Sequence, residues 1–200
     1  MRWDVGTGEV RDAKPQAPAG TNLRFNWSAA LAVDPFEPAT VWLGSQFVHR
    51  SRDRGETWET VSPDLTTNNP ELLGSSGGPI TADNSGAEVH CTIFAFVESP
   101  IEAGVLWAGS DDGVVHISRD AGKTWNNVTP DGLEKPAMVS IIEASTFNAG
   151  TAYVTATRYK VDDLKPYIFR TSDYGASWHL ATAGTPPDGF PPALPPRPAS

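Results

Sequence analysis

Three carboxylates occur in one eight-residue setting, Ser/Thr-x-Asp-x-Gly-x-x-Trp. The copies are Ser51, Asp53, Gly55, Trp58; then Ser118, Asp120, Gly122, Trp125; then Thr171, Asp173, Gly175, Trp178. Other acidic groups stand outside these boxes: Asp111-Asp112 before Gly113, Asp162-Asp163, and Asp64, Glu71 and Asp83 in a Gly-, Ser- and Asn-rich stretch. The chemistry open to paired carboxylates is glycoside hydrolysis, which in inverting enzymes needs an acid and a base ~6.5–9.5 Å apart. Nothing in the spacing sets any two of them across a sugar. The box aspartate has a simpler use, because a carboxylate entering a turn accepts backbone N–H groups of that turn. Glycine two places on supplies a dihedral that other residues resist, and tryptophan buries a large ring. The boxes are read as structural, and no catalytic residue is assigned.

Three connections could carry ligand contacts. Ser110-Asp111-Asp112-Gly113 has the composition of a tight hairpin turn. The polar stretch 63–86 is long enough to be either functional or a surface insertion. The segment from Arg158 to Pro166 mixes both charge signs with an aromatic, and Arg158, Tyr159, Asp162, Asp163 and Lys165 are the candidate ligand-binding residues. Adjacent strand residues point to opposite faces, so His90 and Cys91 make no nucleophile–base pair, and Cys91 reads as a small core residue. His49, His116 and His179 lack metal-ligand spacing, and no phosphate-cradling loop precedes a helix, so neither metal nor cofactor is expected. Trp3 and Trp27 are the least constrained indoles: packed positions on one reading, sugar-stacking platforms on the other.

Each box must be positioned by strands. Three short apolar runs precede it and one follows, with Pro- or Gly-bearing turns between them. Each unit is therefore a four-stranded antiparallel meander, and helical periodicity is absent. A meander repeated every fifty to seventy residues predicts an all-β fold, a partial β-propeller of about three blades. The expected divisions are edge strands of a preceding blade over 1–20, blades over 21–62, 92–130 and 131–182, and a long polar loop over 63–91. The stretch 183–200 is proline-rich and expected to be disordered, with seven prolines among its last sixteen residues.

At the boxes the sequence resembles the Asp-box, or BNR-repeat, propellers found in sialidases, sortilin-type receptors, xyloglucanase-type glycosidases and a photosystem assembly factor. Over most of 1–181 it is similar to bacterial sortilin-N-terminal-like or "glycosyl hydrolase" BNR proteins. Arg24-Phe25-Asn26-Trp27, the run from Phe47 to Trp58, Ser62-Pro63-Asp64-Leu65-Thr66-Thr67, the run from Trp107 to Val115, and Lys165-Pro166-Tyr167 carry that likeness. The resemblance implies a ring of seven or more blades in an exported protein. Three blades cannot close such a ring, so the chain reads as a fragment. Its first twenty residues show no secretory signal core.

Composition narrows the partners. Among 200 residues, 15 Lys and Arg face 24 Asp and Glu, a net charge of −9 that disfavours nucleic acid and anionic lipid. Apolar runs are too short to cross a bilayer, and one cysteine excludes an internal disulfide. Two readings remain. The first is a non-catalytic, sortilin-like module that binds protein or glycan through blade loops. The alternative is a fragment of an exported glycoside hydrolase, xyloglucanase- or sialidase-like, with incomplete carboxylates. Open blade edges add an expected tendency to self-associate.

Overall fold

The computed structural model describes residues 1–182, and the predicted proline-rich tail lies outside the described residues. The molecule is all-β: a two-stranded hairpin followed by three four-stranded antiparallel sheets, with two single 3-10 turns, Pro70–Leu72 and Tyr159–Val161. The hairpin pairs β1 (Arg2–Trp3) with β2 (Val10–Arg11). The first blade is β3 (Leu31–Val33), β4 (Val41–Gly44), β5 (Val48–Ser51) and β6 (Glu59–Thr60). The second is β7 (Ile93–Glu98), β8 (Leu106–Ser110), β9 (Val115–Ser118) and β10 (Asn126–Asn127). The third is β11 (Met138–Ala144), β12 (Ala152–Arg158), β13 (Asp163–Thr171) and β14 (His179–Leu180). Strands pair in chain order in every blade, as in a propeller.

The box turn is built alike three times. Asp53, Asp120 and Asp173 each accept the backbone N–H four residues on, at 2.8, 2.8 and 2.9 Å, and the hydroxyl of that same residue, at 2.6, 2.7 and 2.6 Å. The hydroxyls belong to Thr57, Thr124 and Ser177, a position that the eight-residue pattern leaves open. The first residue of each box donates its hydroxyl to the aspartate and accepts the glycine N–H. These bonds favour the ionised form, led by those from Thr57 and Ser177, and hold the Asp53 and Asp173 carboxyls down at about 2. Arg54, Ala121 and Tyr174 precede the glycines in left-handed backbone, and their N–H groups bond the first turn of their own blade at Ala39, Gly104 and Gly150.

The boxes also join blade to blade. Trp125 donates its indole N–H to Val61 O of the first blade at 2.9 Å, and Trp178 donates to Val128 O of the second at 2.7 Å. Trp58 makes the same bond to Ala13 O at 2.9 Å, so the segment after β2 stands where a preceding blade's outer strand would. The glycine fixes how closely the blades approach. A Cβ on Gly175 would lie 2.7 Å from Val128 Cβ, at a φ of +83°.

Between these staples lie two cores. Ala30, Trp42, Val48, Leu65, Ile93 and Leu106 fill the first interface. Trp107, Val115, Ile117, Val139, Val154 and Phe169 fill the second. The Trp42 indole N–H reaches across to the buried Glu98 carboxylate at 3.0 Å, and burial raises the pKa of Glu98. Trp107 meets Trp178 edge-on, ring centres 6.2 Å apart.

Candidate functional site

Successive connections of an antiparallel meander alternate ends. The three boxes share one end with the first turns of the blades, and the recurrent backbone bonds above tie the two together. The opposite end gathers the connections between second and third strands and those between blades. It therefore collects 22–28, 63–92, 111–114, 129–137 and 159–162, and loops on a rigid scaffold are where binding groups concentrate.

At its centre is the turn after β8. Asp111 and Asp112 are only 3% and 5% exposed. Asp111 accepts the Thr92 N–H at 2.8 Å and the Thr92 hydroxyl at 2.9 Å. His90 Nδ1 stands 3.5 Å from the same carboxylate, which raises the pKa of the imidazole. Asp112 accepts the Thr67 N–H and hydroxyl at 2.7 and 2.6 Å, and also the Ser110 hydroxyl. Burial pushes the Asp112 carboxyl up, but the hydroxyls of Ser110 and Thr67 outweigh it and leave it below the usual range. The two aspartates clasp both ends of the 63–92 connection to the second blade, and neither is open to a substrate.

Arg24 holds that connection from the other side. Its guanidinium donates to Asp64 at 2.7 Å, Thr66 at 3.2 Å, Asn68 at 3.1 Å and Cys91 O at 3.0 Å. Cys91 is fully buried in left-handed backbone, and burial pushes its thiol up to about 11, an unreactive state. Ser45 and His49 are 2.8 Å apart and resemble a nucleophile–base pair, but both are fully buried in the first blade.

The five candidate ligand-binding residues divide. Arg158 is consumed internally: its guanidinium donates to Glu134 at 2.7 Å, Asp163 at 2.6 Å, Tyr167 Oη at 3.0 Å and Pro136 O at 3.2 Å. Asp163 also accepts the Tyr167 hydroxyl at 2.7 Å, the leading cause of its lowered pKa. Asp162 closes the 3-10 turn in left-handed backbone at φ 60°. Tyr159 and Lys165 are exposed. The connection within the candidate ligand-binding segment 158–166 is short, since β13 already begins at Asp163. Glu134 lies 24 residues before Arg158, so spacing gave no sign of it, whereas Tyr167 stands only nine residues on and four past Asp163.

The most open aromatic of this end is Trp27, 70% exposed. Its indole N–H donates to Glu88 Oε1 at 3.1 Å, while Ser76 donates to Glu88 Oε2 at 3.0 Å. An isolated bridge between Asn26 and Glu88 fixes the backbone beside it. The ring is thus held at its nitrogen while most of the side chain is open to solvent. From Ser28 onward a groove of about 310 Å³ runs along the inner strands, lined by Leu31, Phe94, Phe96, Ser140 and Ile141. Among the described residues no group of three His, Cys, Asp or Glu side chains is placed to hold a metal ion, and no helix is long and apolar enough to cross a membrane.

No family model matches the chain. It is similar to a probable oligoxyloglucan-reducing end-specific xyloglucanase of Neosartorya fischeri, 27% identical over 128 residues, covering 62% of this chain and 13% of that protein. Among solved structures it resembles the GH74 xyloglucanase of Xanthomonas campestris, with TM-score 0.52 and 21% identity over 79% of this chain and 24% of that one. It likewise resembles the Niastella koreensis GH74 enzyme, with TM-score 0.52 and 16% identity over 76% of this chain and 22% of that one. These likenesses show the fold: the three sheets are consecutive blades of a β-propeller. The chain spans about an eighth of the curated relative and under a quarter of these solved relatives.

Proposed function

We propose that this chain is a glycan-binding portion of an exported, xyloglucanase-like Asp-box propeller, not a complete hydrolase by itself. The observation that carries the reading is the indole of Trp27, pinned at its nitrogen and largely open to solvent at the loop end of a propeller. A flat apolar ring held rigidly in water suits the apolar face of a β-linked sugar and costs little ordering on binding. Tyr159 and Lys165, exposed at the same end on the third blade, supply a second aromatic and a donor at the far side of the Asp111–Asp112 turn. The kinship with a xyloglucanase supports this alternative over a sortilin-like protein-binding scaffold, which no observation in the molecule favours.

Five carboxylates at this end are committed to the loops rather than free to act on a substrate. Asp64, Asp111, Asp112, Asp163 and Glu88 all serve hydrogen bonds that hold the loops in place. The test is calorimetric titration with xyloglucan oligosaccharides, alongside a reducing-sugar assay. The expected result is binding without hydrolysis, weakened about tenfold by Trp27→Ala, equivalent to ~1.4 kcal/mol. Hydrolysis by the isolated chain, or an affinity unchanged in Trp27→Ala, would overturn the proposal.

A further inference from the structure

The end of the molecule that carries Trp27 also carries an imidazole whose outer nitrogen the fold does not use. His90 lies two residues past Glu88, the anchor of the Trp27 indole. The bridge between Asn26 and Glu88, and the bond from Val89 N–H to Phe25 O at 3.4 Å, hold the two segments side by side. That antiparallel register sets Trp27 opposite Ala87, three residues from His90. Three residues span a backbone reach of about 10 Å. A single oligosaccharide can therefore touch both side chains.

The imidazole is held in one orientation. Its Nδ1 faces the Asp111 carboxylate at 3.5 Å, and the Thr92 N–H and hydroxyl fix that carboxylate in turn. Among the described residues Nε2 has no hydrogen-bond partner, and 28% of the side chain is exposed. A carboxylate behind one ring nitrogen sets the tautomer and aims the other outward. Neutral, that outer nitrogen only accepts a hydrogen bond; protonated, it donates a charge-assisted one, roughly twice as strong. Asp111 foremost, and then Asp112, favour the cation, while burial and Lys160 on the Tyr159–Val161 turn oppose it. Arg24, on the entry segment, is engaged by Cys91 O beside the ring. The balance lifts the His90 pKa above its ordinary value.

We propose that His90, with Asp111 as its positioning residue, is a second contact for the glycan and makes its binding tighten in acid. The inference rests on the glycan-binding reading of Trp27 and adds to it a polar contact with a regulated strength. Trp27 supplies the apolar platform, and the protonated Nε2 donates to a hydroxyl or ring oxygen of a neighbouring sugar. Deprotonation removes the donor and leaves the platform.

Calorimetric titration of the full chain with xyloglucan oligosaccharides from about pH 5.5 to 8.5 tests this. It is paired with NMR titration of the His90 ring, with and without sugar. The expected result is an affinity about fivefold higher on the acid side. Coupling is reciprocal, so bound sugar raises the His90 pKa by the same factor, about 0.7 pH units. His90→Gln, folded by circular dichroism, loses the slope, and Asp111→Asn moves it to lower pH. Trp27→Ala weakens binding at every pH and keeps the slope. An affinity flat in pH, a slope retained in His90→Gln, or a His90 pKa indifferent to sugar overturns the inference and leaves the glycan reading standing. No binding at any pH overturns that reading, and the inference with it.

Discussion

The eight-residue box shows how far residue types determine geometry. Its aspartate, glycine and tryptophan stand out in the sequence because each does something few residues can do. The seventh position is quieter: Thr57, Thr124 and Ser177 share only a hydroxyl, yet that hydroxyl bonds the aspartate at 2.6–2.7 Å in every turn. Three copies bearing a hydroxyl at one position were a signal available without the fold. The destination of the indole N–H was not, since Val61 and Val128 lie 64 and 50 residues away and offer only a backbone carbonyl. Trp125→Phe keeps the ring and loses this bond, so chemical denaturation should show a loss of about 1 kcal/mol. Gly175→Ala should cost more, about 2 kcal/mol or above, because the methyl meets Val128 and the φ of +83° strains any side chain. A Gly175→Ala protein as stable as the parent would show that the blades can slide apart freely.

At the scale of elements, strands and turns were legible because alternation and turn residues are local properties. The connections between them were not. The Asp111–Asp112 turn has the composition of a hairpin, and it is one; that its carboxylates reach out to Thr92 and Thr67 depends on a chain segment that returns from far away. Distance likewise hid the bond of Arg158 to Glu134, 24 residues away, while its partner Tyr167 is local; together they commit the Arg158 guanidinium to folding the corner. Asp112→Ala should release the Thr67 side of the long connection while leaving the blades paired. Limited proteolysis should then cut faster within 68–86, with the resulting core fragments unchanged. Equal cleavage of the variant and parent would show that the clasp does not hold the loop.

The described residues stack three sheets with two buried interfaces between them, and stability should depend on pH through groups that the stack buries. His49 is fully buried, and desolvation pushes its pKa down to about 4. A folded-state pKa below the unfolded one of ~6.5 means the unfolded chain takes up a proton first. The contribution is fully present above that value and is lost as pH falls toward 4. His90 works in the opposite sense, since Asp111 raises its pKa, and its contribution is lost as pH rises through that raised value. Thermal unfolding followed across pH 4–7 should show stability falling with acid, and His49→Gln should flatten that slope while lowering stability at neutral pH. An unchanged slope would remove His49 as its cause.

The two ends of the blades divide the labour: box indoles join sheets at one end, and at the other the exposed ring of Trp27, bonded at its nitrogen to Glu88, is the proposed ligand contact. Proton–nitrogen correlation spectra of the tryptophan indoles, recorded during titration with xyloglucan oligosaccharide, test it most directly. The predicted result is that the Trp27 signal moves with added sugar while those of Trp58, Trp125 and Trp178 stay fixed and exchange slowly with solvent. A stationary Trp27 signal, or box indoles that exchange at once, would contradict it.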